Sequence, residues 1–221
     1  MPLLDKSATK TRIRQELARA RYDVVHFACH AEYDARNPLD SSIWLAGDPL
    51  PGGEDPRPAL LTAAELLELR VEAQLVVLSA CQTGLSDIEE GDEMAGLPRA
   101  LLGAGAAALI ASVWAADDIS TVLLMTRFYR NLLAADPLAP VTFRTAVALQ
   151  QAQCYLRNLT VAETAALCRE QIALAQAMPD AEERIRPYEE MLEDLSGFDP
   201  TVRRFSAYHF WAPFSLMGSW K

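Results

Sequence analysis

The groups able to do covalent or metal chemistry in this chain are few: cysteines at positions 29, 81, 154 and 168, and histidines at 26, 30 and 209. No two cysteines have the CxxC spacing, which suits reduced thiols better than a disulfide framework or a zinc knuckle. His26, Cys29 and His30 are close enough to suggest a metal site. Alternation along a strand, however, would put both histidines on one face and Cys29 on the other, and no second cluster completes four ligands. No metal and no cofactor is therefore expected. Gly103-x-Gly105-x-x-Ala108 has the spacing of a dinucleotide fingerprint, but that motif leaves a strand and enters a helix, whereas this one leaves a helix and enters a strand. What survives is His30 and Cys81. An imidazole can take the proton of a thiol, and the thiolate is then a nucleophile. Each residue also has an ordinary structural explanation, since cysteine is among the most buried residue types and a histidine beside a strand often only hydrogen-bonds.

The elements that must position these two residues are legible in the pattern. Asp23 to Ala28 (DVVHFA) is short, β-branched and aromatic, and His30 lies just past its carboxyl end. Gln74 to Ala80 (QLVVLSA) is a nearly uniform apolar run, as expected of a parallel strand covered on both faces, and Cys81 lies just past its end. Open α/β sheets build their sites outside strand carboxyl ends, so adjacency of these two strands would bring His30 and Cys81 within reach of each other. Ala106 to Val113 reads as a third strand of the same kind. It follows a helix ending near Gly103 in which Pro98 is either a kink or the first turn.

Around this centre the pattern predicts an amphipathic helix over Ser7 to Tyr22 capped by Ser7, and a short strand over Ser42 to Ala46. A proline-rich surface loop from Pro49 to Pro58 precedes a helix from the Thr62/Glu65 capping box to near Arg70. Helices over 118–134 and 141–159 lead to a helical insertion over 160–205 interrupted by Pro179 and Pro187, and Tyr208 to Gly218 supplies a last strand. The fold class is α/β, with a mostly parallel sheet flanked by helices. The 221 residues make one domain, 1–221, containing that insertion.

Composition closes off several classes of function. Thirty acidic against twenty basic residues leave a formal charge of -10, so no basic surface awaits phosphates and direct nucleic-acid binding is not expected. The longest uncharged stretch, Ala100 to Ala116, is 17 residues broken by Gly103, Gly105 and Ser112, too short and too interrupted to span a bilayer. Charges throughout residues 1–20 leave no apolar stretch for a signal peptide, and a cytoplasmic location without membrane contact is expected.

Six motifs in order carry a resemblance. They are His26-Phe-Ala-Cys-His30-Ala31, Leu61-Thr-Ala-Ala-Glu65, Leu78-Ser-Ala-Cys81-Gln-Thr-Gly84, Gly91-Asp-Glu-Met-Ala-Gly-Leu-Pro-Arg-Ala100, Ala111-Ser-Val-Trp114-Ala-Ala-Asp-Asp118 and Phe210-Trp-Ala-Pro-Phe214. Together they resemble the CHAT family, over roughly residues 8–158 and 207–219. The resemblance implies a three-layer caspase-like fold and a cysteine endopeptidase of the clan that includes caspases and separases. It implies His30 and Cys81 as the catalytic dyad and the backbone N–H groups of Ala31 and Cys81 as the oxyanion donors. The family usually has glycine after the histidine, and an Ala31 at positive φ would be strained.

The resemblance also bears on the substrate pocket. Relatives that cleave after basic residues carry an acid two positions before the nucleophile, where this chain has Ser79. A pocket aspartate in separases corresponds to Asp117 or Asp118 beyond Trp114, and the acidic loop from Asp87 to Glu93 adds negative field. Asp117 has the alternative role of capping the following helix. The implied partners are a protein or peptide substrate and either a regulatory protein or the family's upstream half, which this chain is expected to lack. A catalytically inactive caspase-like interaction module is the alternative function.

Overall fold

The computed structural model describes residues 3, 5–48, 57–79, 82–83, 96–178 and 181–218. After a single 3-10 turn at Asp5–Ser7, the first helix is Lys10–Arg19 (α1). Its cap is Thr9, whose hydroxyl accepts from the Arg12 N–H at 3.3 Å, and not Ser7, which the preceding turn consumes. Strand β1 (Tyr22–Phe27) ends before Ala28. His30 is thus not on the strand that carries His26, and the expected shared face of the two histidines does not exist.

The chain next forms β2 (Ala31–Glu32), β3 (Ser42–Leu45) and β4 (Ala59–Thr62). The sequence pattern does not announce β2 or β4, because two- and four-residue strands are too short to show alternation. Most of the expected proline-rich loop, residues 49–56, lies outside the described residues. Helix α2 (Ala63–Leu67) starts at the expected capping box, Thr62 Oγ1 accepting from the Glu65 N–H at 3.2 Å and Glu65 Oε2 from the Thr62 N–H at 3.0 Å. It stops before Arg70 because the chain tightens into turns at Glu68 and Leu69. Glu65 also holds Lys10 Nζ at 2.6 Å, fastening α1 to the start of α2.

Strands β5 (Ala73–Leu78) and β6 (Gln82–Thr83) follow, then α3 (Leu97–Gly103) and β7 (Ala108–Ser112). Pro98 sits in the first turn of α3, where a missing N–H costs nothing, so the helix starts there and is not kinked. The antiparallel strand β8 (Phe214–Gly218) completes a sheet of order β1–β5–β7–β8 whose other neighbours are parallel. A second small sheet has the order β4–β3–β2–β6.

The register Phe27↔Leu78↔Ala111 ties the carboxyl ends of β1, β5 and β7 together. Along β5, Leu75, Val76, Val77 and Leu78 are all buried, so both strand faces are out of water and the uninterrupted apolar run has its reason. Each such side chain contributes roughly 1.5–3 kcal/mol by burial. Among the described residues β1 is an edge of the sheet. Tyr22 donates to Glu72 O at 2.9 Å, and in a parallel ladder the alternate residues Asp23 and Val25 turn their backbone groups to the open side.

The chain divides into two compact units, Met1–Ala115 with Pro213–Lys221, and Ala116–Ala212. The second is helical: α4 (Asp118–Ala134), α5 (Val141–Asn158), α6 (Val161–Ala175), α7 (Ala181–Leu195) and α8 (Tyr208–Trp211). The Arg127 guanidinium lies 4.4 Å over the Tyr155 ring, linking α4 to α5, and Arg130 pairs with Glu170 of α6 at 3.2 Å. Pro187 lies inside α7 and does not interrupt it. The last apolar run is divided: its first part is the turn α8, and only Phe214–Gly218 is strand. Among the described residues, no helix is long and apolar enough to cross a membrane.

Gly105 explains the glycine spacing near residue 103. It turns the chain from α3 into β7 at φ +116°, and a Cβ there would meet Val71 O at 3.1 Å. Gly105→Ala is expected to destabilise the protein by about 1–3 kcal/mol, read as a lowered midpoint in urea unfolding with an unchanged slope.

Candidate active site

The paired ends of β1 and β5 put the segments after Phe27 and Leu78 side by side, Ser79 N–H donating to Phe27 O at 2.9 Å. From there both segments enter the second sheet. Ala31 pairs in parallel with Gln82 and Glu32 with Thr83, while Ala31 also pairs with Ile43 of β3. His30 sits immediately before this ladder and is exposed. Its carbonyl accepts from the Trp44 N–H at 2.8 Å. Among the described residues none hydrogen-bonds its imidazole. Cys81 lies outside the described residues, as does the acidic loop over 87–93.

Ala31 is 2% exposed and belongs to β2, so it has the extended backbone that any L-residue adopts. The methyl that replaces the family's usual glycine therefore causes no strain. With ladder partners on both sides, the direction of the Ala31 amide is set by strand pairing. Ala31, Glu32 and Tyr33 line a small pocket with Leu78, Leu97, Pro98 and Ser112, just beyond the carboxyl ends of β5 and β7. Its free space is about 10 Å³, scarcely enough for one water molecule.

The other residues singled out from sequence have separate placements. Ser79 is partly buried and its hydroxyl lies 2.9 Å from His26 Nε2. Trp114 follows β7 in the first unit and is half-buried. Asp117 and Asp118 belong to the second unit. Asp117 caps α4, its carboxylate accepting from the Ser120 N–H at 2.8 Å, and Asp118 is the first, exposed residue of that helix.

The partnership of His26 with Ser79 was missed in the sequence, although alternation gives the signal: the paired residues His26 and Val77 share a sheet face, and Ser79 is two residues beyond Val77. His26 is exposed as a residue, yet loss of hydration around its ring pushes its pKa down to about 4. The thiols differ just as clearly. Burial pushes Cys29 up to about 11, which leaves on the order of one part in ten thousand as thiolate at neutral pH. Burial also raises Cys168.

The family model for the CHAT domain matches residues 1–219. Tetratricopeptide repeat protein 28 of Mus musculus is 30% identical over 159 residues, covering 60% of this chain and 6% of that protein. The Homo sapiens protein of the same name shows the same identity and coverage. This chain thus spans about 6% of the length of the curated relatives it matches.

The lowered His26 pKa has a definite sign in stability. The folded chain keeps His26 neutral down to about pH 4, whereas the unfolded chain takes up the proton near 6.5. The associated stability is fully present above about pH 6.5 and is lost as the pH falls toward 4. His26→Gln retains an amide for Ser79 but cannot titrate, so its melting temperature should fall less than the parent's between pH 7 and pH 4. Parallel melting curves for the two proteins across that range would contradict the assignment.

Proposed function

Because the chain belongs to the CHAT domain family, whose fold is caspase-like and peptidase-related, we propose that it is a cysteine endopeptidase with Cys81 as nucleophile and His30 as general acid and base. The Cys81 thiolate adds to the carbonyl carbon of a scissile peptide bond, and the carbonyl oxygen becomes an oxyanion held by the Ala31 and Cys81 amides. Collapse of this intermediate breaks the C–N bond, and the His30 imidazolium gives its proton to the departing amine. A water then adds to the thioester as His30 takes its proton. The acid product leaves, and Cys81 returns to the thiolate with His30 protonated.

The observation that carries this reading is the β2–β6 ladder, which begins one residue after each member of the pair: Ala31 follows His30, and its partner Gln82 follows Cys81. The raised values of Cys29 and Cys168 support Cys81 as the reactive thiol, since burial withholds the thiolate form from both. A cytoplasmic setting, which keeps thiols reduced, suits a thiol nucleophile, and the edge at β1 is where a regulatory protein or an upstream segment would add a strand.

A second reading, a caspase-like interaction module without turnover, draws on the same edge and on the relatives' name as repeat proteins. The readings separate on two variants assayed against a denatured-protein or peptide-library substrate. Cys81→Ala should abolish cleavage, and His30→Ala should lower kcat by roughly 10²–10⁴, the latter shifting stability by only about 0.5 kcal/mol because His30 is exposed. Cleavage that survives Cys81→Ala would overturn the peptidase reading, and an absence of cleavage by the parent under reducing conditions would favour the interaction module.

A further inference from the structure

Beside His30 the second sheet carries an apolar pair that is only partly withdrawn from water. The antiparallel register Ala31↔Ile43 continues one step to set His30 opposite Trp44, as the Trp44 N–H donating to His30 O confirms. Trp44 in turn pairs with Leu60 of β4. Directly opposite residues present their side chains on one face. The neighbouring row, Ala31, Ile43 and Leu61, points inward and is at most 2% exposed, so the row of His30, Trp44 and Leu60 points outward. Trp44 and Leu60 are each 42% exposed. An indole and an isobutyl group side by side on the outer face of a sheet whose inner face already supplies core leave apolar surface in water that a ligand can cover.

We infer that Trp44 and Leu60 form an apolar subsite for the peptide segment on the leaving-amine side of the cut, so that substrates with a large apolar residue just after the scissile bond are selected. This rests on the peptidase reading above. In that reaction the acyl part of the substrate becomes bonded to Cys81, while the departing amine takes its proton from His30. The departing segment therefore extends past His30, away from the nucleophile. The strand order β6, β2, β3, β4 runs the same way: from the strand that follows Cys81, across the one that follows His30, to Trp44 and then Leu60. The first surface met on that path is the indole, and apolar contact is its chemistry.

Two readouts test the subsite, the first of them independently of the reaction. The first is binding of fluorescein-labelled, uncleaved peptides to the Cys81→Ala chain, with Leu, Phe, Ser or Asp after the cut position. The second is the residue profile after the cut when the active chain digests a peptide library. Leu and Phe peptides should bind about tenfold more tightly than Ser and Asp peptides, the scale of a partly covered apolar contact. Trp44→Thr and Leu60→Thr, which place a β-branched residue of high strand propensity at each position, should remove that preference while the chain still melts cooperatively, and Trp44→Phe should keep it. Equal affinities across the four peptides, or a preference indifferent to Trp44→Thr, would overturn the subsite. Binding preference without any hydrolysis would sustain the subsite and strike the peptidase reading, whereas hydrolysis without preference would do the reverse.

Discussion

Two residue pairs, Ala31 with Gln82 and Glu32 with Thr83, hold together the segments that emerge from the carboxyl ends of β1 and β5. A ladder of two pairs is too short to stand alone in water. It persists because β2 is also paired with β3, and because the inward row of Ala31, Ile43 and Leu61 is buried in the core beneath it. The long parallel strands thus fix where the two segments start, and the small sheet fixes where they go. Everything said of His30, its neighbours and its chemistry depends on that second constraint.

The same arrangement sorts the titratable groups. Polar side chains at the ends of buried parallel strands lose hydration unevenly. His26 is kept neutral against Ser79, and Cys29, one residue before His30, is kept protonated by burial. His30 lies on an outward row and is exposed, as His26 is, but it is not bonded to Ser79. The Ser79 hydroxyl and the loss of ring hydration suit His26 to holding a hydroxyl in place.

Much of the main sheet was legible because its two central strands are buried on nearly every face: the largely apolar runs at 73–78 and 108–112 have the length of strands. The capping box at Thr62 and the start of α4 at Asp117 were legible from local hydrogen-bonding chemistry. The second sheet was not. Its strands are two to four residues long, and their pairings join residues from 10 to 51 positions apart, which no local pattern carries. The outward row of Trp44 and Leu60 was hidden for the same reason, since SIWLA reads as a generic strand until its partner is known. The cap at Thr9 in place of Ser7 and the helical turn at Tyr208–Trp211 were boundary matters decided by which N–H groups the backbone left to satisfy.

The account turns on one thiol behaving differently from three others because one histidine is its partner. Treating the reduced chain at neutral pH with a limiting amount of a thiol-reactive peptide ketone, and locating the adduct by mass spectrometry in the parent and in His30→Ala, measures that directly. Modification of Cys81 well ahead of Cys29, Cys154 and Cys168, lost when His30 is replaced, is the result the account predicts. Labelling spread over the four cysteines, or labelling of Cys81 that does not depend on His30, would contradict it.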